Sequence, residues 1–285
     1  VDASRNEPFL ISHLVRLALT TYELNSIREG IARHAWTIEQ LRELEQRLSS
    51  FDLLSEYQHT MRGERALNIA GLEFYRRRWF IDMSQLYGET EAPVTLGSTF
   101  QGMPSGWFYR NDILIANWHQ EFTLELVNPQ EHRVYPALHR QMMKATQQVR
   151  TTPSTIFAKM LFPALGNAWN RSGQTQTRVD RALLACVLER YQRAHGEYPE
   201  TLQGLVESKF VDRIPRDVMD GQPLRYKKKP DGFLLYSIGA NEKDDGGVVV
   251  LKKSGSTPNI DSQLSDWVWQ MPPADSQNAT KEIKQ

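Results

Sequence analysis

Val179, Leu183, Val187 and Tyr191 recur every four residues, and Gly196 closes the series. A four-residue apolar repeat lays one continuous stripe along one side of an α-helix. Glycine enters the left-handed conformation that ends such a helix without steric cost. The spacing therefore predicts a helix over 177–195 and a change of architecture at Gly196. Beyond it the punctuation is that of short strands. Pro215, Asp220-Gly221, Pro223 and Pro230-Asp231-Gly232 mark turns. The runs 224–228, 233–238, 248–252 and 267–270 read as strands, the first two joined as a hairpin. A short helix is expected over 201–210. Residues 272–285 are polar and read as a disordered tail.

Upstream, the periodicity is helical throughout. Leu10, Leu14, Leu17, Leu24, Ile27 and Ile31 share a helical spacing, with Pro8 suited to a first turn. Thr37 followed by Gln40 is a capping-box pattern, in which each residue's side chain satisfies the other's backbone N–H. It opens a helix with Ile38, Leu41, Leu44 and Leu48 on one face. A longer helix is expected over 52–83. Residues 88–106 carry four glycines and two prolines and predict a loop. Helical patterning resumes over 111–126 and again from Val134 to Val149. Pro153 suits a helix start, and Pro163 a bend or an end.

The bulk properties narrow the function classes. The 285 residues are 40% hydrophobic, enough for a sizeable core. Lys+Arg and Asp+Glu are 34 each, and the balance holds on both sides of residue 174. A chain without a basic excess is not expected to take nucleic acid as its main partner. A single cysteine, Cys186, makes neither an intramolecular disulfide nor a thiolate zinc cage. It reads as a small buried side chain. No run reaches the ~18 apolar residues of a membrane span. The chain begins at Val1 rather than Met, which predicts a processed protein whose signal or membrane anchor lay upstream.

The segment 181–206, RALLACVLERYQRAHGEYPETLQGLV, resembles the junction of helix and head in type II secretion major pseudopilins. Tyr191, Gly196, Tyr198 and Pro199 fall where that family has a Tyr-rich helix end and Gly-x-Tyr-Pro. Ile214, Pro215, Asp217, Gly221, Pro223 and Tyr226 match its next segment, and Tyr236, Ser237 and Gly239 the strand that follows. SDWVW at 265–269 is similar to the final Asp-containing strand. The resemblance covers about a third of the chain. The family's hydrophobic N-terminal fibre helix has no counterpart in the first 176 residues, so assembly into a fibre does not carry over. The whole chain is loosely similar to bacterial envelope proteins that bear such a head.

No nucleotide-binding, zinc-protease or nucleophile-elbow motif occurs. Ser105 in Gly102-Met-Pro-Ser-Gly106 sits one place late for an elbow. None of the seven histidines is spaced i,i+4 from another, and they read as satisfied or exposed. Glu64, Glu73, Arg62, Arg65 and Arg76–Arg78 read as a solvated helix face. The tryptophans at 107, 118, 169, 267 and 269 read as packing groups. The best ligand signal is NEKDDGG over 241–247, because calcium takes oxygen donors on a bendable loop. The family resemblance implies a Ca²⁺ site there, with Asp245 and Asp266 as carboxylate ligands and Asn241, Asp244 or backbone carbonyls completing the shell. Lys243, Lys252 and Lys253 oppose a dication.

The expected protein is mainly helical α+β. It has a helical region over 1–176, a pseudopilin-head-like domain over 177–271 (one long helix on a small antiparallel sheet) and a tail over 272–285. The expected function is that of a non-enzymatic envelope protein that binds a protein partner or itself. It would be extracytoplasmic, periplasmic or anchored through a missing N-terminal segment. The alternative is an enzyme or small-ligand binder with its site near the 88–106 loop.

Overall fold

A computed structural model describes residues 7–77, 104–252, 259–260 and 265–271. It is mainly helical α+β, as predicted. The helices are α1 (Leu10–Ala32), α2 (Ile38–Ser49), α3 (Leu53–Arg77) and α4 (Ser105–Trp118), then α5 (Pro136–Gln148), α6 (Ile156–Leu165), α7 (Ala168–His195) and α8 (Gln203–Glu207). A π-helical turn, His119–Leu124, continues α4 directly. The strands are β1 (Val127–Asn128), β2 (Arg133–Val134), β3 (Arg225–Lys229), β4 (Gly232–Ser237), β5 (Leu251–Lys252), β6 (Asn259–Ile260) and β7 (Trp267–Met271). The head sheet is antiparallel in the order β3-β4-β7, and β1-β2 and β5-β6 are separate antiparallel pairs.

The local signals at α2 and at the end of α7 are realised. Thr37 accepts from the Gln40 N–H and Gln40 caps the Thr37 N–H. Gly196 stands at φ 82° and closes α7. The Pro230-Asp231 turn joins β3 to β4, with Lys229 opposite Gly232.

Several boundaries differ. Helix α7 starts at Ala168, nine residues before the expected 177, because its first turns are polar and hide the period. Ser172, Thr175 and Thr177 donate to the carbonyls four residues back, which lets hydroxyl residues sit inside a buried helix. Ser105 and Gly106, expected in a loop, open α4. Pro8 lies outside α1, whose flanking N-cap residue is Phe9. The expected short helix over 201–210 is confined to α8, and of the expected strand 248–252 only β5 pairs. The rest of the 88–106 loop, the end of the third helix and the 272–285 tail lie outside the described residues.

Helix α7 is the axis of the molecule. Position 176/177 falls inside it, and its buried side chains feed two cores. The first joins Leu17, Leu24, Ile27 and Ile31 of α1 and Leu41 and Leu48 of α2 to Leu184, Val187 and Leu188 of α7. It continues into Phe233, Leu235 and Trp269 of the head sheet. The second joins Tyr57 and Met61 of α3, Ile115 and Trp118 of α4, and Phe162 of α6. Trp169 of α7 and Val218, Met219, Ile238 and Trp267 of the head complete it. Each fully buried leucine in these cores contributes about 1.5–3 kcal/mol. Cys186 is buried among them. Four of the five clustered tryptophans are core groups; Trp107 stands exposed on α4. Among the described residues no helix is long and apolar enough to cross a membrane.

Candidate functional site

The corner of the head is organised by Asp217. Its carboxylate accepts from the Met219 and Ile238 N–H groups, the Ser237 hydroxyl and the Arg225 guanidinium, all at 2.8–3.0 Å. Burial raises its pKa, and the bonds from Met219, Ser237 and Ile238 offset only part of that rise. These bonds tie the Pro215 turn to the end of β4 and fix the mouth of the loop that follows. Gly239 is required just there. It stands at φ +67°, and a Cβ on it would lie 2.4 Å from the Ser265 carbonyl.

The four expected calcium ligands lie around this loop with different roles. Asp266 is 1% exposed. One of its oxygens accepts from the Gly247 N–H at 2.7 Å; the other, Oδ1, is buried without a hydrogen-bond partner among the described residues. Burial raises its pKa, the backbone N–H groups of Gly247 and Asp245 offset part of that rise, and the nearby Asp245 and Asp244 charges add to it. Asp245 is held by the Asn241 side-chain amide at 2.9 Å. The Asn241 carbonyl oxygen accepts from the Lys243 N–H. Asp244 turns the other way, toward the Gly246 N–H, the Tyr236 hydroxyl and Arg225, whose Nε lies 3.6 Å from it. The structure thus brings Asp245 and Asp266 together and gives Asp244 other partners. No set of three His, Cys, Asp or Glu side chains among the described residues forms a metal cage.

A second feature had no sequence signal. A cleft of about 1590 Å³ runs between the α2–α3 connection, the β1–β2 turn, α7 and the head. Its lining includes Asp52, His132, Arg133, Asp180, Leu183 and Tyr226. His132 has a positive φ of 53°, unusual for a residue with a side chain. Its Nε2 lies 2.9 Å from Asp180, whose other oxygen accepts from Gln176 at 3.0 Å. Gln176 in turn accepts from the Leu53 N–H. Burial opposes the imidazolium, but the Asp180 bond and charge outweigh it and raise the His132 pKa. Sequence reasoning missed this pair because 48 positions separate the partners. No hydroxyl or thiol hydrogen-bonds to His132 among the described residues.

The third feature is the first half of α1, which buries polar groups beside Leu17 and leaves an apolar stripe outside. Helix α1 turns His13, Arg16 and Thr20 inward and leaves Ile11, Val15, Leu19 and Tyr22 exposed. Ile11 is 78% and Tyr22 72% exposed. The inward groups are matched by long-range partners. Arg16 makes a two-pronged pair with Glu56 at 2.6 and 3.0 Å and stacks over Phe51, and His13 bonds Ser172 at 2.8 Å. The outward residues recur at 11, 15, 19 and 22, a single helical stripe. No family model, curated protein or solved structure matches the chain.

Proposed function

We propose that this chain is a non-enzymatic interaction protein of the bacterial envelope, and that the outward stripe of α1 is its docking face. The observation that carries the reading is the exposed apolar stripe Ile11, Val15, Leu19 and Tyr22 on a helix that buries His13 and Arg16. An exposed apolar stripe on a helix that buries an arginine is stable in water at a cost, which a covering protein surface removes. A protein partner or a second copy fits that face equally in chemistry. The pseudopilin-like turn residues of the head add the extracytoplasmic location to the proposal. The decisive experiment places a photo-cross-linking amino acid at Tyr22 in intact cells of the source organism, with Glu43 on α2 as the control position. A discrete adduct at Tyr22, abolished by Ile11→Glu with Leu19→Glu, is expected. A chain that stays uncross-linked at Tyr22 and sediments as a monomer at high concentration refutes the reading.

A calcium ion at the junction of Asp245 and Asp266 belongs to the same proposal. The fit is partial. The orphaned Oδ1 of Asp266 and the neighbouring carboxylate of Asp245 supply two hard donors. Asn241 and backbone carbonyls would complete the shell, and Asp244 contributes only if it leaves Arg225. The ion would neutralise two carboxylates and hold the loop against β7.

A second reading, a small-ligand binder or enzyme, draws on the His132–Asp180 pair. A positive-φ histidine oriented by a carboxylate in a cleft is an arrangement suited to moving a proton. The cleft's volume exceeds the ~300–1,000 Å³ of small-molecule pockets.

A further inference from the structure

Three arginines of this protein converge where α1, α7 and the head sheet meet, and none has an acidic partner among the described residues. Arg178 and Arg181 lie one turn apart on α7, and Arg28 faces them from α1. Arg181 is 4% exposed, and its Nη1 is buried without a hydrogen-bond partner. Its Nε reaches only the Thr177 carbonyl, at 3.3 Å. Arg178 makes one long contact, 3.4 Å to the Thr21 hydroxyl. The Arg28 guanidinium sits over the Trp269 ring, 5.9 Å from its centre. The indole N–H of Trp269 is a second buried donor without an acceptor.

The carboxylates closest in effect to Arg181 are Asp180 and Asp217, and both are committed elsewhere. Asp180 serves His132 and Gln176; Asp217 serves Arg225, Ser237 and two backbone N–H groups. Other guanidinium groups in the fold have acids to pair with: Arg16 with Glu56, Arg190 with Glu45, Arg193 with Glu189. Burial, then the charges of Arg178 and Arg28, push the Arg181 pKa down to about 9. It therefore still carries its charge at neutral pH. Three neighbouring like charges without an acidic partner among the described residues, and two buried donors left without an acceptor, call for a group of opposite sign.

We propose that Arg28, Arg178 and Arg181, with the Trp269 indole N–H, form a binding site for a phosphate-class oxyanion. Guanidinium forks match the oxygens of such an anion, and none of the three is paired to a carboxylate among the described residues. Arg28 and Arg178 are half-buried and within reach of solvent, whereas Arg181 and Trp269 are buried. The ligand is either a free phosphate or pyrophosphate or the phosphodiester of a lipid headgroup.

Thermal unfolding of the full chain at constant ionic strength tests the site with inorganic phosphate, pyrophosphate and chloride. Phosphate and pyrophosphate should each raise Tm saturably, and chloride should not. Arg28→Gln and Arg178→Gln, on separate helices and partly exposed, should each weaken that binding at least tenfold. Arg181→Met should abolish it while unfolding no earlier than wild type in phosphate-free buffer. Co-sedimentation with phosphatidylglycerol vesicles, against phosphatidylcholine vesicles, distinguishes the sources. Binding to the anionic vesicles that Arg28→Gln removes assigns the lipid headgroup, and phosphate binding without vesicle binding assigns the free anion. If neither phosphate, pyrophosphate nor anionic vesicles bind, or if binding survives both glutamine variants unchanged, the proposal is wrong.

Discussion

At the residue scale, the two carboxylates Asp217 and Asp266 show how burial divides structural from ligand-seeking groups. Asp217 is completely buried and has a donor for each oxygen. Its work is finished within the fold. Asp266 is as deeply buried and has an oxygen left over. The position of Asp217 was legible through the Ile-Pro-x-Asp pattern. Its four partners were not, because they converge from β3, β4 and a turn. The calcium proposal rests on that leftover oxygen. Millimolar Ca²⁺ added after chelation should raise Tm, as any ligand that binds only the folded state must. Asp245→Ala and Asp266→Ala should each remove the rise, whereas Asp244→Ala should leave most of it, since Asp244 faces Arg225. A melting curve indifferent to calcium, with no heat of binding by calorimetry, rules the ion out.

At the scale of single elements, sequence signals worked where the deciding contacts are local. The capping box of α2, the αL stop of α7 and the Pro-Asp-Gly hairpin each depend on residues within four positions of one another. They failed where the deciding partner is remote. The polar start of α7 is helical because α1 and α3 cover it: His13 bonds Ser172, and Leu53 bonds Gln176. The inward turn of Arg16 on α1 depends on Glu56, 40 residues away. The two kinds of element should respond differently to substitution. Thr37→Ala removes one half of an exposed capping box and should cost about 1 kcal/mol in urea unfolding. Glu56→Gln leaves the buried Arg16 guanidinium facing a neutral amide and should cost clearly more, on the order of 3 kcal/mol. Equal losses in the two variants would mean that the Arg16–Glu56 pair does not set the orientation of α1.

At the scale of the whole molecule, the helical region and the head share α7 and both cores, which couples the unfolding of one to that of the other. Two buried histidines make that unfolding depend on pH. His13 donates from Nε2 to Ser172, whose hydroxyl is itself spent on the Ala168 carbonyl, so Nδ1 is the unprotonated nitrogen. It is buried without a partner, and burial, then Arg16, push the His13 pKa down to about 4. His119 lies in the π-helical turn against Phe162 and Thr123. Burial, then Arg65, bring it down to about 4 as well. In the unfolded chain both would titrate near 6.5. The folded state therefore binds fewer protons than the unfolded state between these values, and stability falls with falling pH across that window. Above about pH 7 both contributions are whole; below about pH 4 both are gone. Each amounts to roughly 3 kcal/mol at ~1.4 kcal/mol per pH unit. His132 works in the opposite direction, because its folded pKa is raised and its contribution is lost as pH rises through that value. The net slope of wild type thus mixes signs, and a variant isolates the two buried rings. Urea unfolding of His13→Gln with His119→Gln, from pH 7.5 to 4.5, should lose much less stability on acidification than wild type does. A pair of parallel stability curves would place both imidazoles in contact with water and remove the buried-histidine account of acid sensitivity.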